Sequence, residues 1–233
     1  MLKTLKTKTQ QKIIIVKNHK IRVQLIVGSK KPNISFLIKR ILDPLAAFAI
    51  LIVFSLPLLA IALLIKLDSS GPIFYKQTRV GFKGVHFEVW KFRTMIQNAS
   101  QLQSKLELQN EIAGGVLFKM KNDPRITRVG KYLRKYSLDE LPQLFNVLLG
   151  QMSLVGPRPL PIRDVEKFAP EHYFRQDIIP GITGLWQVSG RSDTDSDNLF
   201  KLDLEYIQNW SLALDFKILC RTIGVVLNSK GAY

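Results

Sequence analysis

The chain has a single cysteine, Cys220, in 233 residues. One thiol closes no internal disulfide and supports no zinc-finger spacing, so a disulfide scaffold is excluded and the chemistry is expected to face the cytosol. Histidine is almost as scarce. His19, His86 and His172 are scattered and form no metal-ligand spacing. There is no internal repeat and no glycine–aromatic signature of an RNA-recognition domain. Acidic residues number 18 against 34 Lys and Arg, and none falls within residues 1–40. The resulting net charge of +16 calls for an anionic partner: nucleic acid, anionic lipid or a phosphorylated substrate.

One stretch lacks charge altogether. From Pro44 to Ile65 the chain reads PLAAFAILIVFSLPLLAIALLI, long enough to cross a hydrocarbon core and apolar on every face. It begins too far into the chain for a cleavable signal peptide, and no small-residue cleavage site follows it. Eleven Lys and Arg precede it within residues 1–40, and Lys66, Lys76, Arg79, Lys83, Lys91 and Arg93 follow it against only Asp68 and Glu88. Both flanks therefore favour the cytoplasmic side. Pro57 removes a backbone donor near the middle of the run and predicts a kink or break, with Ser55 placed to bond the freed backbone. The expectation is a helix–break–helix that dips into one leaflet and returns; the alternative is a kinked spanning helix.

The rest of the chain predicts an α+β fold, predominantly helical. Residues 1–33 form a basic arm with two β-branched runs, either two strands or a loosely ordered segment on anionic lipid. Residues 34–66 form the membrane helix–break–helix, entered through an amphipathic approach over 34–43, and residues 67–233 a cytoplasmic domain with membrane-surface helices. GPIFYKQTRVGFKGVHFEVWKFRTM reads as a β-hairpin turning near Gly81 and Gly84. QNASQLQSKLELQNEIA opens a helix, DPRITRVGKYLRKYS gives a short one, and DELPQLFNVLLGQM one that ends at Gly150. A helix and a Pro/Gly-punctuated loop follow, and one or two helices close the chain. Tyr206 and Trp210, near the apolar IGVVL run, suit an interfacial helix.

Asp139 and Glu140 are the only adjacent carboxylates. Arg125, Arg128, Lys131, Arg134 and Lys135 precede them and Arg158 follows. Arginine forks match phosphate oxygens, and a carboxylate pair holds a divalent metal or attacks an electrophile. A plainer reading is available. Ser137 three residues before Glu140 has the form of a capping box, or Asp139 caps a helix whose first turn holds Pro142. A carboxylate at a helix N-terminus is stabilised as an anion, and the same terminus attracts phosphate, so cap and catalyst are compatible.

KFRTM, FKMKNDPRITRVGKYLRKYSLDELPQLFNVLLGQMSLVGPRP, PGITGLWQVSGR and YIQNWSLALDFKILCRT, in that order, resemble the bacterial sugar transferase family of monotopic phosphoglycosyl transferases over about residues 37–233. The resemblance implies transfer of a hexose 1-phosphate from a UDP-sugar to undecaprenyl phosphate with release of UMP, at the start of exopolysaccharide, capsule or O-antigen synthesis. It implies a re-entrant helix and a Mg2+ ion. Asp139 is then the nucleophile that forms an aspartyl–phosphosugar, and Glu140, with Asp139, holds the metal. Arg134 and Arg158 are placed to clamp phosphate, their alternative being surface ion pairs. Lys91 and Arg93 are further candidates, or solvated strand charges. Arg125, with Asp123, serves phosphate or forms an Asx-turn and a surface charge. Arg191 reaches nucleotide or sugar, and Trp186 stacks on the base or is core. One departure is that the family has Ser-Pro at the helix break, whereas Leu56 precedes Pro57 here and Ser55 is displaced by one. The GLWQVSGR segment resembles glucose and galactose transferases more than acetamido-sugar ones. The implied location is the bacterial inner membrane with the catalytic domain on its cytoplasmic face. The partners are a UDP-hexose, undecaprenyl phosphate and an anionic bilayer, with no nucleic acid; a homodimer is compatible with this.

Two other readings compete. A metal-dependent glycosyltransferase releasing UDP would use an Asp-x-Asp motif, which Asp193, Asp195 and Asp197 supply, but no βαβ run precedes them. A non-enzymatic basic membrane-surface or nucleic-acid binder accounts for the charge but not for the motif order.

Overall fold

The structure, a computed structural model, describes residues 12–16, 19–23, 34–99, 101–102, 123–190 and 196–228. The chain divides into two compact units, residues 1–38 and 39–233. In the first, the β-branched runs pair as an antiparallel hairpin, β1 (Lys12–Val16) with β2 (His19–Val23), in the register Ile14↔Ile21.

The apolar run lies within two helices, α1 (Ile34–Val53) and α2 (Ser55–Asp68), bent by 66° relative to each other. No single helix among the described residues is long and apolar enough to cross a membrane, whereas the bent pair together is, by length and composition. The expected approach over 34–43 is not a separate element, since α1 runs through it and carries Pro44 within it. The break falls at Phe54, in the turn that precedes Pro57. Pro57 occupies the first turn of α2, and the carbonyl four residues before it is that of Val53, where α1 ends. The residue at the cap position is Phe54, whose side chain makes no capping hydrogen bond. Each helix gives a narrow stripe to the protein, Ala47 on α1 and Ile61 and Ile65 on α2. Leu45, Phe48, Ile52, Leu56, Leu59, Leu63 and Leu67 remain exposed.

The expected hairpin forms from β3 (Phe74–Val80) and β4 (His86–Phe92), joined through Gly81 and a tight turn at Phe82–Gly84 where Gly84 has φ +78°. Pairing places Tyr75 opposite Lys91, Gln77 opposite Val89 and Arg79 opposite Phe87. These six residues therefore share one face of the sheet. After β4 the KFRTM segment runs against the start of α3 (Arg128–Lys135). Thr127 N–H donates to Thr94 O at 3.0 Å, and Thr127 Oγ1 accepts from Gly130 N at 3.0 Å as the helix cap. Asp68, at the end of α2, accepts from Val129 N at 3.0 Å, an anion at a helix N-terminus. Most of the helix expected to open at Gln97 lies outside the described residues.

The chain continues through a 3-10 turn at Leu138–Glu140, α4 (Gln143–Leu148) and β5 (Ser153–Val155). It then passes β6 (Leu160–Pro161), the single-turn α5 (Ile162–Val165) and 3-10 turns over Pro170–Asp177 to β7 (Gly181–Thr183) and the single-turn α6 (Leu185–Val188). The closing helices are α7 (Ser196–Gln208) and α8 (Leu212–Asn228). β6 adds to the hairpin in the order β4-β3-β6, and β5 pairs in parallel with β7. The main core gathers Ala47, Phe87, Val89, Leu144, Val147, Val155, Leu185, Tyr206 and Ile218.

Tyr206 and Trp210 correct an expectation. Tyr206 is fully buried and donates to Asp215 Oδ1 at 2.8 Å, while Trp210 Nε1 donates to Asp215 Oδ2 at 3.1 Å. Their polar atoms satisfy a buried carboxylate rather than a membrane interface, because Asp215 in the apolar interior requires donors. Trp186 is likewise core, packed with Leu199 and Phe200.

Candidate active site

Between α3 and α4 the chain reverses at Ser137, which adopts a left-handed φ of 54°. Ser137 N–H donates to Arg134 O at 3.0 Å, and Glu140 N–H to Ser137 O at 3.2 Å, closing the 3-10 turn that presents Asp139 and Glu140. Neither cap reading holds. Ser137 makes no capping bond, and α4 starts after Pro142 with no side-chain cap. The two carboxylates are thus released from backbone duties; Asp139 is buried and Glu140 half-buried.

Three cations converge on them. Arg158 donates from both terminal nitrogens to Glu140, Nη1 to Oε2 at 3.0 Å and Nη2 to Oε1, a bidentate fork. Lys91 Nζ donates to Glu140 Oε1 at 2.6 Å and lies 3.9 Å from Asp139 Oδ2. Arg134 comes from the last turn of α3, its Nε donating to Thr94 Oγ1 at 2.9 Å. The Asp139 carboxylate accepts no hydrogen bond from any described residue. Burial pushes the Asp139 carboxyl upward and Glu140 adds to this, outweighing Lys91, Arg134 and Arg158. Burial alone would raise Glu140 too, but Arg158 and Lys91 overcome it and hold that carboxyl well below the usual range. Burial lowers Lys91 despite Glu140. The pair is thereby divided into an anion locked by two cations and a neighbour left without hydrogen bonds.

The remaining expected residues separate. Arg93 leaves the pair and turns to the end of α2, donating to Pro72 O, to Ser69 O at 2.6 Å and to Ile65 O at 3.3 Å. A cation there satisfies helix-terminal carbonyls. Arg125 forks onto Asp123, Nε–Oδ1 at 2.8 Å and Nη2–Oδ2 at 2.6 Å, and its own N–H donates to Asp123 Oδ1 at 3.0 Å. The Asx-turn reading is therefore met, but the charge is buried, not superficial. Arg191, Asp193 and Asp195 lie outside the described residues, as does the side chain of Asp197.

The segment that delivers Arg158, Val155–Pro159, has its own supports, which the sequence did not reveal. Val155 O accepts from Lys39 Nζ at 3.1 Å and Tyr206 Oη at 3.1 Å. Pro157 O accepts from Gly181 N at 3.0 Å. Arg158 O accepts from Arg175 Nη2 at 2.8 Å, and Pro159 O from Arg79 Nη1 at 2.5 Å. Gly156 and Gly181 allow the close approach, since a Cβ on either would collide with backbone of the other strand's segment. The signal for Arg79 was the hairpin register, which puts it on the face of Lys91.

Among the described residues no three His, Cys, Asp or Glu side chains gather to hold a metal. Mg2+ needs only one or two protein carboxylates when substrate phosphates and waters complete its octahedron. Asp139, without hydrogen bonds, and Glu140, after yielding one contact to a cation, fit that role.

The site couples an acidic pair to one guanidinium fork, from Arg158, and to the cations of Lys91 and Arg134. The pattern of the bacterial sugar transferase family matches residues 34–229, and the chain belongs to that family. It is 44% identical over 195 residues to the galactosyl transferase CpsE of Streptococcus agalactiae serotype III, covering 83% of this chain and 43% of that protein. It is 42% identical over 219 residues to an undecaprenyl-phosphate galactose phosphotransferase of Salmonella typhimurium, covering 93% and 46%. Against the exopolysaccharide production protein ExoY of Rhizobium meliloti it is 41% identical over 209 residues, covering 88% and 92%. The chain thus spans less than half the length of the first two relatives and nearly all of the third.

Proposed function

We propose that the chain transfers a hexose 1-phosphate from a UDP-sugar to undecaprenyl phosphate, in the synthesis of an exopolysaccharide, capsule or O-antigen. The reading rests on the contrast between Asp139, which has no hydrogen bond, and Glu140, held by Arg158 and Lys91. Asp139 attacks the β-phosphorus of the UDP-sugar. Its carboxylate oxygen forms the new P–O bond, and the bond to the α-phosphate oxygen breaks to release UMP. The phosphate oxygen of undecaprenyl phosphate then attacks the same phosphorus and frees Asp139, giving the lipid diphosphosugar. Lys91, Arg134 and Arg158 hold phosphate oxygens, and Glu140 keeps Lys91 and Arg158 oriented between steps. Mg2+, bound through Asp139 and Glu140 with the diphosphate, would neutralise charge on the leaving group.

The bent α1–α2 pair supports a re-entrant anchorage in which both basic flanks stay on the cytoplasmic side of the inner membrane, where the nucleotide sugar is found. The relatives named for galactose transfer favour a hexose without an acetamido group. The decisive assay incubates the full chain with undecaprenyl phosphate and a panel of UDP-sugars. Release of UMP and an acid-labile phosphosugar on Asp139 are expected; release of UDP would sink the proposal. A reporter fused after Ile65 is expected on the cytoplasmic side, and a periplasmic signal would sink re-entry.

A further inference from the structure

Three cationic side chains hold carbonyls of the Val155–Pro159 segment, and two of them are neutralised by a buried aspartate. Lys39 pairs with Asp215 at 2.6 Å, and Arg175 with Asp203 at 2.6 Å. Arg79 is the exception. Its Nη1 meets Pro159 O and its Nη2 meets Gln77 Oε1 at 2.9 Å, both neutral acceptors. Its Nε is buried with no hydrogen-bond partner, and no carboxylate of the described residues lies within ion-pair distance. Arg79 is half-buried, and Glu140 and Asp164 act on it from a distance without pairing with it, so its charge is free to take an anion that arrives later.

The position of Arg79 says where that anion sits. Arg79 and Lys91 share one face of the β3–β4 hairpin, and Lys91 reaches Glu140 from it. Arg79 also holds the carbonyl next to Arg158, whose fork is on the same Glu140. Arg134 enters from α3, on the other side of the turn. Asp139 and Glu140 face four cations, Lys91, Arg158, Arg134 and Arg79, and Asp164 acts on Arg79 without an ion pair, so positive charge at this site is left over for ligand. Burial, and after it the neighbouring Arg158, bring the Arg79 guanidinium down to about 10 against the opposing pull of Glu140 and Asp164.

We propose that Arg79 is a phosphate-binding residue of this active site, its charge held without a carboxylate so that a substrate phosphate supplies the counter-charge. The inference rests on the phosphoglycosyl transfer proposed above. The phosphate belongs either to the diphosphate of the sugar donor or to the lipid acceptor, and the two half-reactions distinguish them.

The test uses the full chain in detergent or nanodiscs with Arg79→Gln. UMP formation from the UDP-sugar without acceptor reads the first step, and chase of the loaded protein with undecaprenyl phosphate reads the second. A loss of at least about tenfold confined to the first step assigns Arg79 to the donor diphosphate, and one confined to the second assigns it to the acceptor phosphate. Rates within twofold of the unsubstituted protein on both steps would overturn the proposal. Competition by inorganic pyrophosphate, read by displacement of a fluorescent UDP analogue, adds a measurement without turnover, and equal affinities in the two proteins would likewise overturn a donor role. If Arg79→Gln does not fold, Arg79→Lys keeps the charge and removes the fork: a slowed step supports the proposal and unchanged steps overturn it. Failure of the underlying reaction is read separately, as UDP in place of UMP from the unsubstituted protein.

Discussion

Arg158 holds Glu140 through both carboxylate oxygens, whereas Asp139, its neighbour in the chain, receives no hydrogen bond from any described residue and lies 3.9 Å from Lys91. Adjacent residues of one turn thus occupy opposite electrostatic roles. The division follows from geometry: consecutive side chains on a 3-10 turn point about 120° apart, so the Arg158 fork reaches Glu140 alone while Lys91 bonds Glu140 and only approaches Asp139.

Asp139→Asn removes the proposed nucleophile and one proposed Mg2+ ligand but no hydrogen bond, because the carboxylate accepts none from any described residue. UMP release is expected to fall by at least about 10³-fold, while affinity for UDP stays near its original value. A variant that retained full turnover would dissociate Asp139 from the chemistry. The measurements are a UMP-release assay and fluorescence titration with UDP.

Glu140→Gln leaves the half-buried Lys91 and Arg158 beside a neutral amide. Removing one member of a buried pair costs about 3–5 kcal/mol, visible as a lowered urea midpoint. The pH dependence has a definite sign. The Glu140 carboxyl is held well below its usual 4.5, so its stabilising contribution is fully present above 4.5 and disappears as pH falls through its folded-state value. Glu140→Gln should flatten that acid limb of the stability curve.

The Asp139 carboxyl is raised above its usual 3.8, chiefly by burial. Attack requires the anion, so the acid limb of the first half-reaction is expected above 3.8, with rate falling as pH drops through the raised value. Arg158→Gln removes a neighbouring cation and should move the limb further upward. A pH–rate profile of UMP formation measures both.

Gly181→Ala places a methyl against the backbone of Gly156, where neither strand can give way independently. Overpacking of this kind costs about 1–3 kcal/mol and should displace the Val155–Pro159 segment. UMP release is expected to fall by more than the loss of folded protein accounts for, as read by activity normalised to the folded fraction.

Lys39→Met leaves Asp215 buried with only Tyr206 and Trp210 as donors. The cost is about 3–5 kcal/mol, and Lys39→Met with Asp215→Leu should recover part of it. A double-mutant cycle on thermal unfolding in detergent measures the coupling.

Much of the fold was legible in local pattern. Gly81 and Gly84 located the hairpin turn, the Asp-Pro break located α3, and an uncharged run of 22 residues located the bent pair. Pro57 located the helix break as well: the interruption falls at Phe54, between the proline and the Val53 carbonyl four residues before it. Arg93 looked equivalent to Lys91 in KFRTM, but the strand ends at Phe92 and the next side chain finds the carbonyls of α2. Tyr206 and Trp210 looked interfacial because nothing local announces that Asp215 is buried beside them.

Local sequence determined the elements here, together with the identity of the acidic pair and the membership of Arg158 in its surroundings. These follow from turn chemistry, hydrophobic length and residue order, which act over a few positions. Only tertiary structure decided which cations meet which anions. Lys39 and Asp215 are 176 residues apart, and Arg79 and Pro159 are 80. A buried charge takes whatever partner the packing of distant segments brings within about 3 Å, and no local pattern contains that distance.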